Sequence, residues 1–369
     1  MSWILALHGF QVESIREKNS KEFLYLIKFP LPFSSMDFDP PFQQTYKTLL
    51  PELGKGDKAF AVEEYELPSI NLSHLLSPNQ NEREKCIDEI VRAASTWGFF
   101  QVVNHGISDE VLKNMNYEEK KVFHQPFEKK VQKNFLGLSP DSYRWGNPKA
   151  TSLKQLSWSE AFHICMEDLS GMNESKTLRF TMEKFAKTAR GLAKTLAEIL
   201  ADNLGMIKTG TYFQENCPPN SSYIRMNRYP PCPYSSSKLV CGLIPHTDSD
   251  FLSVVFQDHV GGLQLLKDGK WIAVKPNPNA LVINIGDLFQ ALSNGVYKSI
   301  RHRVIATEVE RFSVAYFYCP SNDAIIESCG EEPAVYKQFT FGEYKIQNEK
   351  DVEDIGDKIG LQRFLRSYI

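Results

Sequence analysis

The stretch LQLLKDGKWIAV at residues 263–274 decides the fold class. Two short runs rich in apolar residues flank Asp268-Gly269, and this dipeptide between such runs is a strong signal for a β-hairpin. From Cys217 onward, similar short runs recur with turn residues about every 8–12 positions. The pattern predicts an antiparallel sandwich or jelly roll. The other predicted strands are residues 222–227, 252–257, 281–285, 303–306 and 311–318.

Helical spacing of apolar residues is typical of the chain before this β-rich part. Residues 82–96 have such spacing, and residues 97–103 then switch to a short β-rich run. The strongest helical pattern covers residues 178–204 and ends at Gly205. The sequence therefore predicts an α+β fold that is mainly β, with a helix-rich N-terminal region.

Changes of composition along the chain divide it into five predicted parts. Clusters of Pro and Gly residues mark a linker at residues 36–65, and the organised protein begins near residue 66. The predicted parts are an N-terminal extension at 1–35, the linker at 36–65, a helix-rich region at 66–205, a jelly-roll domain at 206–330 and a C-terminal helical segment at 331–369.

Composition excludes several classes of function. The 42 basic and 45 acidic residues give a net charge of −3, so nucleic acid and anionic membranes are not expected partners. No apolar run approaches the roughly 18 residues of a membrane span. The seven cysteines are odd in number and form no Cys-x-x-Cys pair, which disfavours a disulfide framework or a thiolate zinc site. The expected compartment is the cytoplasm, with the nucleus left open.

His246-Thr247-Asp248 is the first candidate metal motif. In a strand, residues i and i+2 project from the same face, so His246 and Asp248 can direct a nitrogen and an oxygen to one point. Asp250 is a rival carboxylate. His302 lies 54 residues beyond Asp248. It is either a third ligand or an ordinary residue at the rim of the sheet.

Arg311-Phe312-Ser313 begins a strand that is too apolar to be a solvated edge. An arginine that points into a barrel requires an anion, and its planar fork suits a carboxylate. A serine hydroxyl at i+2 adds a further hydrogen bond on the same face. The alternative is a structural salt bridge between Arg311 and an acidic side chain.

Two histidines and one carboxylate are the ligand set of non-haem Fe(II) oxygen chemistry. An Arg-x-Ser anchor nearby suits a keto-acid cosubstrate. Two other readings stay open at this point: a non-catalytic small-molecule-binding jelly roll, and a zinc site with two histidines, one aspartate and water.

From about residue 67 to residue 365, the sequence resembles the plant 2-oxoglutarate- and Fe(II)-dependent dioxygenases. The stretches that carry the resemblance are WGFFQVVNHG at 97–106, NRYPPCP at 227–233, HTD at 246–248, NIGD at 284–287, HRV at 302–304 and RFS at 311–313. Residues 142–146 and 156–163 are similar to the gibberellin 2-oxidases, in particular the subgroup that acts on C20 gibberellins.

The resemblance implies a double-stranded β-helix (jelly-roll) core flanked by helices, with Fe(II) as cofactor, 2-oxoglutarate and O2 as cosubstrates and ascorbate as a candidate reductant. It implies 2β-hydroxylation of C20 gibberellin precursors, which inactivates the hormone pathway. The alternative is oxidation of another gibberellin position or of a flavonoid-type small molecule. The implied site residues are His246, Asp248 and His302 for the metal, and Arg311, Ser313, Tyr229 and Asn227 for 2-oxoglutarate, with Arg311 also counted as catalytic.

The expected partner is a small molecule, a rigid gibberellin diterpenoid with carboxylates, and the sequence leaves the oligomeric state open. Its pocket should be largely apolar with a few polar groups. Arg144 is expected to meet a substrate carboxylate. Residues 1–35 are expected to have no catalytic function. The candidate pocket residues are Tyr143, Arg144, Trp145, Trp158, Phe162 and Phe317.

Overall fold

The computed structural model describes residues 37–51, 62–173, 175–206, 209–235, 240–329 and 333–366. The predicted extension at residues 1–35 lies outside the described residues. The strands are β1 (Glu64–Tyr65), β2 (Ser69–Asn71), β3 (Phe99–Val103), β4 (Tyr143–Trp145), β5 (Glu160–Cys165), β6 (Tyr223–Tyr229), β7 (Cys241–His246), β8 (Leu252–Gln257), β9 (Leu263–Lys267), β10 (Lys270–Val274), β11 (Leu281–Ile285), β12 (His302–Ile305), β13 (Arg311–Tyr318), β14 (Ile325–Ile326) and β15 (Phe339–Thr340).

Two sheets form the core. The larger sheet has the order β2-β3-β11-β8-β13-β6-β5-β4, and the smaller has the order β1-β10-β9-β12-β7. Most neighbouring strands are antiparallel, with parallel pairs only at β1–β10 and β2–β3 among the described strands. Phe99 and Val282 of the larger sheet pack against Leu263, Leu265 and Ile272 of the smaller one. The sheets therefore face each other, which confirms the predicted jelly-roll core.

The predicted hairpin joins β9 to β10 in the smaller sheet. Lys267 pairs with Lys270 across the turn. Asp268 and Gly269 both adopt positive φ angles, +49° and +75°, which is the conformation that a two-residue turn between twisted strands requires.

Helices pack around the sheets, and several of them contact strands of the larger sheet. They are α1 (Phe42–Thr45), α2 (Gln80–Thr96), α3 (Asp109–Phe123), α4 (Phe127–Lys130), α5 (Lys176–Asn203), α6 (Thr209–Asn216), α7 (Asp287–Leu292) and α8 (Phe341–Ile355). α5 buries a stripe that includes Met182, Phe185 and Leu196, and it contacts α3, β8 and β13. The predicted helix at 178–204 thus matches α5 to within two residues at each end.

β13 shows how the helices leave the inner face of the sheet free. Phe312 and Val314 belong to the apolar core that contains the helices. Their neighbours Arg311 and Ser313 project from the opposite face and line a cavity between the sheets. The alternation of a strand therefore separates packing residues from the residues that form a site.

The structure corrects the linker prediction for residues 37–51. Phe42 and Tyr46 are buried, and the ring of Phe42 stacks on Trp158 with centroids 4.7 Å apart. Asp39 forms an ion pair with the buried Arg228, at 2.6 Å. Proline-rich composition indicated a linker, but the aromatic side chains between the prolines bury apolar surface and hold this segment on the domain.

Seven of the described strands were not predicted: β1, β2, β4, β5, β7, β14 and β15. Gly242 and Pro245 lie within β7 and interrupt its pattern, because both residues are unfavourable inside strands. α8 lies within the predicted C-terminal segment 331–369. Across the described ranges, no helix has the length and apolar character needed to cross a bilayer. All seven cysteines lie within the described residues and are unpaired.

Candidate active site

Two strands of the smaller sheet bring the predicted metal ligands together. His246 at the end of β7 pairs with His302 at the start of β12, and their ring centroids are 4.2 Å apart. Asp248 follows β7 by two residues, and its Oδ1 lies 3.6 Å from His246 Nε2 and 3.8 Å from His302 Nε2. The three ligand atoms lie within 4.8 Å of one another, and within the described residues no other such group of three occurs.

Backbone carbonyls fix the orientation of both imidazoles. Nδ1 of His246 lies 2.8 Å from the carbonyl oxygen of Ile244, and Nδ1 of His302 lies 3.0 Å from that of Ile300. Because a carbonyl oxygen only accepts, each Nδ1 carries the proton and each Nε2 is left with a lone pair. A carbonyl that accepts the Nδ1 proton in this way orients a histidine so that its Nε2 can bind a metal.

The carboxylate of Asp248 is held in the same way. Its Oδ2 accepts hydrogen bonds from Ser253 Oγ at 2.6 Å and from Asn284 Nδ2 at 2.7 Å, which leaves Oδ1 toward the histidines. Burial raises the pKa of Asp248, but His302, His246 and these hydrogen bonds together bring it to about 2. Burial and the neighbouring His302 lower the pKa of His246 to about 3. Unprotonated imidazole nitrogens and a carboxylate oxygen are the donor set that suits Fe(II).

The two other nearby carboxylates have different roles. Asp250 is fully buried, and its Oδ2 lies 2.8 Å from Ser253 Oγ, whose single proton is donated to Asp248. Burial and the neighbouring Asp248 raise its pKa well above the usual range. Asp287 pairs with Lys358 at 2.6 Å. Neither carboxylate belongs to the group of three ligand atoms.

A buried arginine lies in the same cavity without an ionised partner. Arg311 is 2% exposed, and its Nη2 donates to Gln257 Oε1 at 2.8 Å while its Nη1 donates to Ser313 Oγ at 3.3 Å. In the described part of the chain no carboxylate forms a salt bridge with it, and its Nε has no partner. The buried Glu119 forms no ion pair with Arg311; burial and then Asp258 raise the pKa of its carboxyl well above the usual range, against the opposing effect of Arg311. Within the described residues the structural salt bridge that the sequence left open is therefore absent, and Arg311 is a candidate anion-binding position.

β6 supplies the other side of this anion position. Tyr229 pairs with Arg311, and the guanidinium carbon lies 4.7 Å from the centre of the Tyr229 ring. Asn227 pairs with Ser313 and donates to its carbonyl oxygen at 3.4 Å. These four residues and the three ligand residues line one cavity of about 230 Å³. The three candidate iron ligands therefore share one cavity with Arg311 and Ser313, which are called the arginine clamp below.

Of the six residues predicted for the substrate pocket, the structure places only Phe317 in this cavity. Phe162 packs in the core against Phe123, and Trp158 packs against Phe42. Arg144 is exposed. The remaining two also contact other parts of the protein instead of the cavity. The hydroxyl of Tyr143 donates to Glu160 Oε2 at 2.5 Å, and Trp145 contacts Phe42. Four of these five residues lie on β4 or β5, at the far edge of the larger sheet, and Trp158 lies just before β5, so all five are away from the cavity.

Three residues of the site were missed in the sequence: Ser253, Gln257 and Asn284. Gln257 reaches Arg311 because it pairs with Ser313 across β8 and β13. Asn284 reaches Asp248 from β11, which neighbours β8. Strand alternation alone indicated which face they occupy, but the partner of each depends on strand register.

This combination of jelly roll, His-x-Asp…His ligands and arginine clamp defines the class of non-haem iron oxygenases that use a keto acid. Residues 220–320 match the family model of the 2OG-Fe(II) oxygenase superfamily. Residues 67–185 match the model described as non-haem dioxygenase in morphine synthesis N-terminal. The chain belongs to the 2OG-Fe(II) oxygenase superfamily, and it is a dioxygenase with Fe(II) as cofactor and 2-oxoglutarate as cosubstrate.

The comparisons also identify more specific relatives. The chain is 53% identical over 340 residues to gibberellin 2-beta-dioxygenase 8 from Arabidopsis thaliana, covering 89% of this chain and 98% of that protein. It is 43% identical to gibberellin 2-beta-dioxygenase 6 from Oryza sativa subsp. japonica, covering 90% and 98%. Among solved structures, JOX2 in complex with 2OG, Fe and JA matches with a TM-score of 0.69 and 28% identity, covering 86% and 98%.

Proposed function

We propose that this dioxygenase hydroxylates C20 gibberellin precursors at C2 on the β face and thereby inactivates the gibberellin hormone pathway. The observation that carries the proposal is the 53% identity to a gibberellin 2-beta-dioxygenase over 89% of the chain. A second relative of the same name has 43% identity over 90% of the chain. The overall reaction converts 2-oxoglutarate, O2 and a C–H bond of the substrate into succinate, CO2 and an alcohol.

The ligand residues and the arginine clamp divide the work of the site. Fe(II) would be held by His246, Asp248 and His302, and when bound it supplies activation of O2 together with the keto acid. Arg311 and Ser313 bind the distal carboxylate of 2-oxoglutarate, because a fork of N–H donors beside a hydroxyl fits that group. This contact orients the keto acid end toward the three ligands.

Tyr229 and Asn227 complete the cosubstrate position. The Tyr229 ring lies against the guanidinium and limits its movement, while Asn227 fixes the strand that carries Ser313. The rest of the cavity wall is largely apolar and excludes water from the reacting atoms. The apolar wall residues are Phe99, Leu243, Val255, Leu263, Val282, Val304, Ala315 and Phe317.

The substrate is a small molecule, and we propose that C20 gibberellins are preferred over C19 gibberellins. The similarity of residues 142–146 and 156–163 to the C20-acting subgroup supports it. These residues lie on or beside β4 and β5, outside the cavity. We also propose a cytoplasmic location, which the seven unpaired cysteines support.

The test is product analysis by mass spectrometry. Apo-protein is reconstituted anaerobically with Fe(II) and 2-oxoglutarate, then exposed to O2 with a panel of C20 gibberellins, C19 gibberellins and a flavonoid. We expect C20 products that gain one oxygen atom at C2, with one succinate formed for each product. Turnover confined to flavonoids, or hydroxylation at another gibberellin carbon, would contradict the proposal.

A further inference from the structure

Arg225 is a second arginine in the cavity, and the roles assigned above do not use it. It lies on β6 two residues before Asn227 and four before Tyr229, so the three side chains project from one face of the strand. All three line the cavity that contains the metal ligands. Arg225 is partly buried.

The hydrogen bonds of Arg225 leave its charge without a counter-ion. Its Nε donates to Asn227 Oδ1 at 2.8 Å. Its cross-strand neighbours are His163 on β5 and Ala315 on β13. Within the described ranges no carboxylate oxygen lies within 4.0 Å of its guanidinium nitrogens. The outer nitrogens of this guanidinium are therefore available to an anion from outside the chain.

The surroundings of Arg225 are cationic. Burial is the main cause that lowers the pKa of His163 to about 4, and Arg225, Arg144 and Lys345 lower it further, against the opposing effect of Asp168. Two basic side chains besides Arg225 thus act on this end of the sheet, while His163 itself stays neutral. An anionic ligand would relieve the repulsion among these groups.

An apolar surface lies beside this charge. The rings of Tyr223 and Phe317 stack at 4.5 Å with an angle of 11° between their planes, and both residues line the cavity. Tyr223 is two residues from Arg225 on the same face of β6. A flat apolar platform next to an unpaired guanidinium matches a hydrocarbon skeleton that carries a carboxylate.

The cavity therefore has two arginines for two anions. Arg311 with Ser313 takes the distal carboxylate of 2-oxoglutarate. We infer that Arg225 binds a carboxylate of the substrate, so that the enzyme selects free acids over neutral esters. The inference rests on the proposed function and assigns to Arg225 the contact that the sequence predicted for Arg144. Arg144 is exposed and lies outside the cavity, and its Nε donates only to the carbonyl oxygen of Asp141 at 3.4 Å.

The experiment compares Arg225→Met and Arg144→Met with the unmodified protein. The substrates are one C20 gibberellin dicarboxylic acid and its methyl esters, and kcat/KM is measured for each. For Arg225→Met we expect at least about a tenfold loss of kcat/KM on the acid, because a charge-assisted hydrogen bond is removed, and little change on the ester. Arg144→Met should keep the acid-to-ester ratio of the unmodified protein.

A second readout separates substrate binding from support of Asn227. The 2-oxoglutarate requirement is measured by succinate release in the absence of gibberellin, and we expect Arg225→Met to leave it unchanged. Arg225→Gln, which keeps an N–H donor for Asn227 but lacks the charge, should lose acid preference to the same extent. We expect the circular dichroism spectrum of Arg225→Gln to match that of the unmodified protein, so that its lost acid preference is not due to a folding defect.

Three outcomes would overturn the inference. The first is that both Arg225 variants keep the acid-to-ester ratio of kcat/KM seen in the unmodified protein. The second is that the variants keep this ratio but require more 2-oxoglutarate, which would make Arg225 a positioning residue for Asn227. The third is an equal loss in Arg144→Met. Failure of the proposed function would be seen separately, as an unmodified protein that turns over no gibberellin, acid or ester, and the inference would then fall with it.

Discussion

At the scale of single residues, hydrogen bonds hold the polar side chains of the site in place and leave part of each side chain available to a ligand. Asp248 has its Oδ2 occupied by Ser253 and Asn284, and its Oδ1 faces the histidines. Arg311 donates only to the neutral side chains of Gln257 and Ser313. In both cases hydrogen bonds fix the side chain without satisfying its charge, which keeps it available to a ligand.

Arg311→Lys tests the fork geometry of the clamp. One ammonium cannot donate to Gln257, Ser313 and a carboxylate in the arrangement that the planar guanidinium allows. We expect the KM for 2-oxoglutarate to rise by about tenfold or more, with the thermal unfolding midpoint nearly unchanged. Succinate release at varied 2-oxoglutarate measures it, and an unchanged KM would exclude this role for Arg311.

Gly242→Ala tests the seating of Tyr229. A Cβ atom at Gly242 would lie 2.4 Å from Cδ1 of the Tyr229 ring, so the ring must shift from its position against Arg311. We expect a several-fold higher KM for 2-oxoglutarate. The control is Gly191→Ala on α5, where an added Cβ meets nothing within 4 Å. That variant should be more stable by about 1 kcal/mol and should keep its KM. Equal KM values in the two variants would contradict the argument.

At the scale of elements, β5 and β6 place a neutral histidine beside an arginine. The pKa of His163, about 4 in the folded state, lies below its ordinary value of 6.5, chiefly because of burial and then Arg225 and Arg144. The unfolded chain therefore binds more protons between these two pH values, and stability falls as the pH decreases from 6.5 toward 4.

His163→Gln should remove this part of the pH dependence. Lowering the pH from 7 to 5 should cost the unmodified protein about 2 kcal/mol more unfolding free energy than the variant. Urea unfolding at both pH values measures the difference. If both proteins lose the same free energy of unfolding between pH 7 and pH 5, His163 is not the group that causes the pH dependence.

The elements also show what sequence patterns reveal. β8, β11 and β13 have the predicted bounds because each is a run of apolar and alternating residues without Gly or Pro. β7 carries His246 but was not predicted, because Gly242 and Pro245 interrupt its strand pattern. The Tyr229 ring leaves room only for a glycine at position 242. The structure does not explain Pro245. A site strand thus departs from ordinary strand composition where a close contact requires it.

At the scale of the whole molecule, the C-terminal segment supports the metal loop. Lys358 follows α8 and donates to the carbonyl oxygen of Thr247 at 2.9 Å, to Ser249 Oγ at 2.7 Å and to Asp287 Oδ2 at 2.6 Å. Thr247 and Ser249 flank Asp248 in the chain. The last part of the polypeptide therefore holds the loop that presents the carboxylate ligand.

Lys358→Met should weaken metal binding without removing a ligand. We expect about a tenfold lower affinity of apo-protein for Fe(II) or Co(II), which is typical when a residue that holds a metal ligand in place is lost. Anaerobic titration calorimetry measures it. The matched control is Lys350→Met, at an exposed position on α8. Equal affinity in both variants would refute the supporting role of Lys358.

Residue type and period by themselves predicted the β-rich core and singled out His246, Asp248 and Arg311 as candidates. The family resemblance in the sequence then implied the full set of His246, Asp248 and His302 with Arg311 and Ser313. The tertiary structure decided which polar residues meet. Gln257, Asn284, Arg225 and Lys358 gain their roles from strand register and from chain segments that are distant in sequence. It also moved the predicted aromatic pocket away from the cavity, since identical residue types serve as core packing or as a binding surface according to the face they occupy.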